Sequence, residues 1–123
     1  MPRDWDVVRD VLLEVDALDS KARNSFSYTD GEGDDALVAH ALMLWKAGFI
    51  EAIDAGTMGG DSIMCPQLTW EGHNLLETLR DKPVWTKIKA VAAEKGIELS
   101  FDAVKAIGKA VLGGMFGGGG PNV

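Results

Sequence analysis

Hydrophobic residues recur every three or four positions along most of the chain, the spacing of amphipathic helices. Polar capping residues and glycines divide this pattern into separate segments. We predict five helices, which begin near Asp4, Asp34, Thr69, Pro83 and Ser100. In the second helix, apolar residues leave a narrow outward strip of Ala36, His40, Met43 and Lys46, and Gly48 ends it.

Two short β-prone runs, residues 49–56 and 63–69, flank a Gly59-Gly60-Asp61 turn and predict a β-hairpin. Pro66 lacks an N–H, so we expect the second strand at a sheet edge or beside a bulge. Residues 19–35 are polar and interrupted by glycine, with at most a brief strand at 25–28.

The order of these elements is that of a winged-helix domain. We predict an α+β, mostly helical chain: helix, short strand, helix, β-hairpin wing and helix, followed by two C-terminal helices. A winged-helix core would span residues 1–82, and residues 83–116 would form a helical extension of the same domain. Residues 117–123 would be a flexible, glycine-rich tail.

Three segments carry a family resemblance: "RDWDVVRDVLLEVD" (3–16), "VAHALMLWKAGFIEA" (38–52) and "LTWEGHNLLETLRDKPVWTKIK" (68–89). They resemble a winged-helix family of unknown function found in phages, prophages and the bacteria that carry them. The most specific parts are the RDWD start, the run from His40 through Leu44 to Ala47-Gly48, and the LTWEGH motif. The resemblance covers about residues 3 to 112 and implies a regulator-like shape, but it brings no catalytic residues.

The segment Thr69–His73 has both a structural and a chemical interpretation. In the structural one, Thr69 caps a helix, Glu71 favours its positive end, and Gly72 lets the helix pack closely. Trp70 would then be at least half buried, and His73 would hydrogen-bond the hairpin or the helix start.

The chemical interpretation groups His73 and Glu71 with His40 and Cys65 as metal ligands. These residues lack the paired spacing that places two ligands on one ion. No nucleophile elbow, phosphate loop or paired-acid motif is visible either. We therefore expect no metal, no cofactor and no enzymatic activity.

The net charge of −7 is distributed unevenly. Residues 1–35 carry ten acids against four bases, whereas residues 84–123 carry five lysines against three acids. Acidic surfaces repel phosphate, so nucleic acid is a disfavoured ligand. The single cysteine, the charged N-terminus and the lack of a long apolar run predict a cytoplasmic protein. The family resemblance implies that its host is a bacterium.

We expect the chain to act on a protein partner, such as a basic, nucleic-acid-binding host protein, through acidic residues near its first helix and loop. An anti-defence, anti-CRISPR-like inhibitor would be one protein of this kind. The expected acidic face comprises Asp16, Asp19, Asp30, Glu32, Asp34 and Asp35.

The alternative is a DNA-binding transcriptional regulator, with His40, Met43 and Lys46 facing the major groove. The C-terminal helices are candidates for a homodimer contact. A membrane-surface role for them is less well supported than a buried or dimerising one.

Overall fold

Helices make up most of the chain. The computed structural model describes the backbone of residues 3–116 and the side chains of residues 3–113. Its elements are, in order, α1 (Trp5–Ala17), α2 (Ser20–Ser25), β1 (Ser27–Thr29), α3 (Asp35–Lys46), β2 (Ile50–Asp54), β3 (Ser62–Leu68), α4 (Trp70–Arg80), α5 (Lys82–Lys95) and α6 (Phe101–Phe116). The predicted mostly helical α+β class is confirmed, and the five predicted helices correspond to α1, α3, α4, α5 and α6.

Side-chain caps fix where these helices begin. The Asp4 carboxylate accepts hydrogen bonds from the N–H groups of Asp6 and Val7, and Asp34 accepts from Leu37. The Ser100 hydroxyl accepts from Ala103. Each cap pairs with N–H groups that the first turn of a helix leaves without a partner, which is why the start sites were readable from the sequence.

The three strands form an antiparallel sheet in the order β1-β3-β2, so β3 lies in the centre. The prediction that Pro66 would place its strand at an edge is therefore wrong. The alternative is confirmed, because Cys65 and Pro66 form a bulge where β3 loses register with β2. Cys65 adopts a positive φ of 56°, which is unusual for a residue other than glycine. Its N–H pairs with the Phe26 carbonyl at 3.0 Å.

The polar segment after α1 contains more structure than its sequence indicates. Asp19 caps the six-residue helix α2, which buries none of its residues and so shows no apolar stripe. The brief strand, expected at 25–28, lies at Ser27–Thr29 and pairs with β3. Gly31 and Gly33, with φ of 87° and 80°, then reverse the chain toward α3.

Two compact units divide the chain, Met1–Leu76 and Glu77–Val123. The first has its core among α1, α3 and the inner face of the sheet, and the second among α5 and α6. The division falls inside α4, and the predicted boundary after residue 82 stays a prediction. The predicted tail, residues 117–123, lies outside the described residues. No helix within residues 3–116 is both long and apolar enough to cross a membrane.

Candidate functional site

The segment Thr69–His73 joins the hairpin to α4. The Thr69 hydroxyl accepts a hydrogen bond from the Gly72 N–H at 3.0 Å and donates to the Gly48 carbonyl at 2.7 Å. It thus caps α4 and ties the helix start to the turn that follows α3. A Cβ at Gly72 would lie 2.0 Å from the Phe49 carbonyl oxygen, so only glycine fits there. The structural roles predicted for Thr69 and Gly72 are confirmed.

The prediction for Trp70 is wrong, because its side chain is 80% exposed. At about 100° per residue, Trp70 lies on the side of α4 opposite Gly72, Leu76 and Leu79. Glu71 is also exposed in the first turn. The His73 ring lies 4.0 Å from an Asp16 carboxylate oxygen on α1, whereas the prediction paired it with the hairpin or the helix start. The motif therefore presents polar and aromatic groups to solvent.

His40 does not face outward as predicted, since it is 2% exposed. Its Nε2 accepts the Asp4 N–H at 2.8 Å, which requires the ring proton to be on Nδ1. That nitrogen lies 2.7 Å from the Ala36 carbonyl oxygen and donates to it. His40 therefore satisfies a backbone group at the start of α1 from within α3. It is unavailable to DNA.

The exposed end of α3 lies against the hairpin. Lys46 Nζ is 3.1 Å from an Asp61 carboxylate oxygen, and the Asp30 N–H donates to the Asp61 carbonyl at 2.9 Å. Met43 is partly exposed beside them, in a shallow depression of about 380 Å³. An exposed ion pair of this kind adds little stability. It does, however, set the negative charge of Asp61 beside the positive charge of Lys46 on α3.

All six acidic residues of the predicted face are exposed: Asp16, Asp19, Asp30, Glu32, Asp34 and Asp35. Two of them, Asp19 and Asp34, also cap helices. Asp16 neighbours α4, whereas Asp30 neighbours the hairpin. The six carboxylates are therefore spread over at least two parts of the surface of the first unit, one beside α4 and one beside the hairpin. Fourteen acids against five bases give residues 3–76 a net charge of −9.

Sequence reasoning missed the pairing of Tyr28 with Glu14. Tyr28 on β1 is 3% exposed, and its hydroxyl donates to a Glu14 carboxylate oxygen on α1 at 2.5 Å. Burial is the main cause that raises the pKa of Tyr28 well above its ordinary value, and the Glu14 hydrogen bond and charge add to it. The local signal was only a tyrosine in a short strand, so its partner could not be inferred.

The structure does not bring the four candidate metal ligands, His40, Cys65, Glu71 and His73, together at one position. Cys65 lies in the bulge of β3, with its thiol 3.6 Å from the Asn24 carbonyl oxygen, whereas the His40 ring is occupied between α1 and α3. Among the residues whose side chains are described, no three of His, Cys, Asp and Glu are grouped around a possible ion position.

Residues 2–98 match the model of a protein family described as "Hypothetical protein (DUF2513)". The chain belongs to the DUF2513 family. The family model spans α1 to α5. An uncharacterized protein of Haemophilus influenzae is 35% identical over 117 residues, which cover 94% of this chain and 98% of that protein. An alignment of that length also reaches the residues of α6, which lie beyond the family model. No solved structure matches the chain.

Proposed function

We propose that this DUF2513 protein is a non-enzymatic, winged-helix-type module that binds a basic protein partner through the acidic surface of its first unit. The observation that carries the proposal is the net charge of −9 on residues 3–76, with the six carboxylates of the predicted face exposed. Complementary charge of this magnitude speeds association and excludes partners of the wrong sign.

The winged-helix part of the proposal is supported by the order of the elements. A helix runs directly into a two-stranded hairpin, α4 follows it, and β1 joins β3 to complete a three-stranded sheet. Fold alone does not determine function, so the choice between protein and DNA as ligand depends on surface chemistry.

DNA binding is the second candidate function, because the helix before the hairpin is the one expected to enter the major groove. Against it, Lys46 is paired with Asp61, and His40 is buried. The electrostatic attraction to phosphates that dominates DNA affinity would be missing or reversed on the first unit.

The resemblance to phage and prophage proteins extends the proposal to its biological setting. A phage-borne protein that binds a basic, nucleic-acid-binding host protein would act as an anti-defence factor, of which an anti-CRISPR-like inhibitor is one form. We place its action in the bacterial cytoplasm. This extension would be supported if expression of the protein raised the plating efficiency of phage on a host with an active defence system.

The test uses a charge-reversal variant chosen to spare the helix caps: Asp16→Lys, Asp30→Lys and Glu32→Lys. Its matched control, Glu77→Lys, Glu94→Lys and Glu98→Lys, changes the total charge equally but alters exposed residues of the second unit. Thermal melting first confirms that both variants fold. Each tagged protein is then used to capture proteins from a bacterial lysate, and the captured partner is purified.

With the purified partner, we expect the acidic-surface variant to associate about tenfold more slowly or worse, with a weaker salt dependence, while the control keeps the wild-type rate. If the two variants slowed association equally, or if neither did, the acidic surface would not be the binding site.

A further inference from the structure

A groove runs between α5 and α6 in the second unit. Its volume is about 790 Å³, and it is open to solvent. The residues that line it are Pro83, Lys87, Val91, Lys95, Ala106, Ile107, Ala110 and Val111. Ile107 and Val111, each 9% exposed, form the floor, while Ala106 and Ala110 are exposed along one side. The groove is thus apolar at its base and shallow on the α6 side.

The α5 side of this groove carries two positive charges. Lys87 and Lys95 are eight residues apart, which corresponds to about 12 Å along a helix, and Val91 lies midway between them. Neither lysine forms an ion pair with any side chain described in residues 3–113. None of the described residues that line the groove is acidic. In a chain of net charge −7, this is a local reversal of sign around an apolar surface.

We propose that the α5–α6 groove binds an amphipathic helix of a partner protein, one whose apolar stripe is flanked by carboxylates about two turns apart. The partner's apolar side chains would cover Ile107 and Val111, and its carboxylates would pair with Lys87 and Lys95. The small Ala106 and Ala110 side chains would let the partner's backbone approach closely. Such packing of an amphipathic helix into an apolar groove is a recurrent mode of peptide recognition.

Two features favour this occupant over others. A small amphiphile would remain largely wet in an open groove, whereas ligand sites usually bury most of a small molecule's surface. A second copy of the chain, seated symmetrically, would bring its own Lys87 and Lys95 to the same interface, and like charges there are unfavourable. The site differs from the acidic surface of the first unit in both position and sign, so it goes beyond the proposed function.

The experiment measures binding of the full chain to three labelled synthetic peptides of about 18 residues, long enough to form a helix. All three share one leucine stripe, and the flanking positions are glutamate, lysine or glutamine. Fluorescence anisotropy gives each affinity at low and at physiological salt. Amide chemical shifts of the labelled full chain then locate the bound peptide.

We expect the glutamate peptide to bind at least about tenfold more tightly than the lysine peptide, with shifts centred on Val91, Ala106 and Ala110. In the double variant Lys87→Glu, Lys95→Glu, this preference should invert. The matched control Lys21→Glu, Lys82→Glu changes two exposed lysines outside the groove and should keep the wild-type preference. Filling the groove through Ala110→Asp should abolish binding of the glutamate peptide.

Equal affinities for the three peptides, shifts located in the first unit, or an equal loss in the control variant would each overturn the proposal. Sedimentation of the full chain tests the competing occupant. Self-association at micromolar concentration that Ala110→Asp abolishes would show that a second copy covers the groove, and the partner-helix proposal would then be wrong.

Discussion

The Tyr28 hydroxyl links a strand to a helix through a partly buried hydrogen bond to the Glu14 carboxylate. Ionising the phenol would place a second negative charge beside Glu14, where little water reaches to solvate it. The folded state therefore favours the neutral phenol, and the pKa of Tyr28 lies well above its ordinary value of about 10 because of burial first and Glu14 second.

The stability that this contact supplies should depend on pH. Because folding raises the pKa, the contribution is fully present below about pH 10 and is lost as the pH rises further, by up to about 1.4 kcal/mol per pH unit. Between about pH 9 and about pH 11, the free energy of unfolding should fall more for the wild type than for the variant Tyr28→Phe. The variant serves as the control because its lysines titrate over the same range.

Denaturant unfolding of both proteins measures that difference. Tyr28 is the only tyrosine in the chain, so the ultraviolet absorbance of tyrosinate reports its ionisation directly. An ordinary titration near pH 10 in the folded protein would contradict the prediction.

His40 and Trp70 show where residue-level inference from the sequence fails. The spacing of apolar residues in α3 predicts that His40 faces solvent. His40 is buried instead, because its two ring nitrogens bond to the Asp4 N–H, 36 residues away in the chain, and to the Ala36 carbonyl, four residues away. A large aromatic residue suggests burial, yet its position in α4 places Trp70 in solvent. Cap and glycine positions were predictable because their hydrogen bonds and close contacts follow from neighbouring residues, whereas these side chains depend on distant ones.

At the level of elements, α4 is held against the chain by a backbone contact. Gly72 approaches the Phe49 carbonyl so closely that any Cβ would overlap it, and Thr69 bonds to the carbonyl of Gly48 beside it. The LTWEGH motif is therefore a packing device between a helix and the turn that precedes the hairpin.

We expect Gly72→Ala to destabilise the protein by about 3 kcal/mol, because the helix must move away from Phe49. The matched control is Gly113→Ala in α6, where a Cβ would meet nothing within 4 Å. There the better helix propensity of alanine should leave the stability unchanged or raise it by up to about 1 kcal/mol. Urea unfolding measures the free energy of unfolding of both variants. If the two substitutions changed it equally, the close packing assigned to Gly72 would be wrong.

The element pattern was recoverable from the sequence to different degrees. Helices with an apolar stripe and a side-chain cap were placed within a residue or two at their starts, as for α1 and α3. The helix α2 has neither a buried residue nor enough length to show a period. The central position of β3 depends on its pairing with β1, in which Tyr28 lies opposite Ile63, 35 residues later in the chain. No local pattern encodes such a contact.

At the scale of the whole chain, the charge changes sign between the two units. Residues 3–76 carry a net charge of −9, and residues 77–113 carry seven bases against five acids, a net charge of +2. The two proposed binding surfaces would therefore select ligands of opposite charge. Under the two proposals, one chain binds a basic partner at its first unit and an acidic helix at its second.

The same charge distribution predicts weak binding to DNA. We expect generic duplex DNA to bind with a dissociation constant weaker than about 1 µM at physiological salt, because the first unit repels phosphate. Asp61→Asn releases Lys46 from its ion pair and should add at most about one phosphate contact, visible as a small change in salt slope. Anisotropy titrations over a range of salt measure both. Tight binding whose affinity falls steeply with salt would contradict this prediction and favour the alternative function, a DNA-binding transcriptional regulator.

The bulge at Cys65 and Pro66 fixes how the hairpin can align. If β3 slid by two residues along its neighbours, Pro66 would move to a paired position without an N–H to offer, and the Phe26 carbonyl would lose the N–H of Cys65. The left-handed backbone at Cys65 would have to be rebuilt as well. The bulge thus fixes the register of β3 against both neighbouring strands. We therefore expect residues 55–61 at the hairpin tip to tolerate changes in length or sequence without a shift in that register.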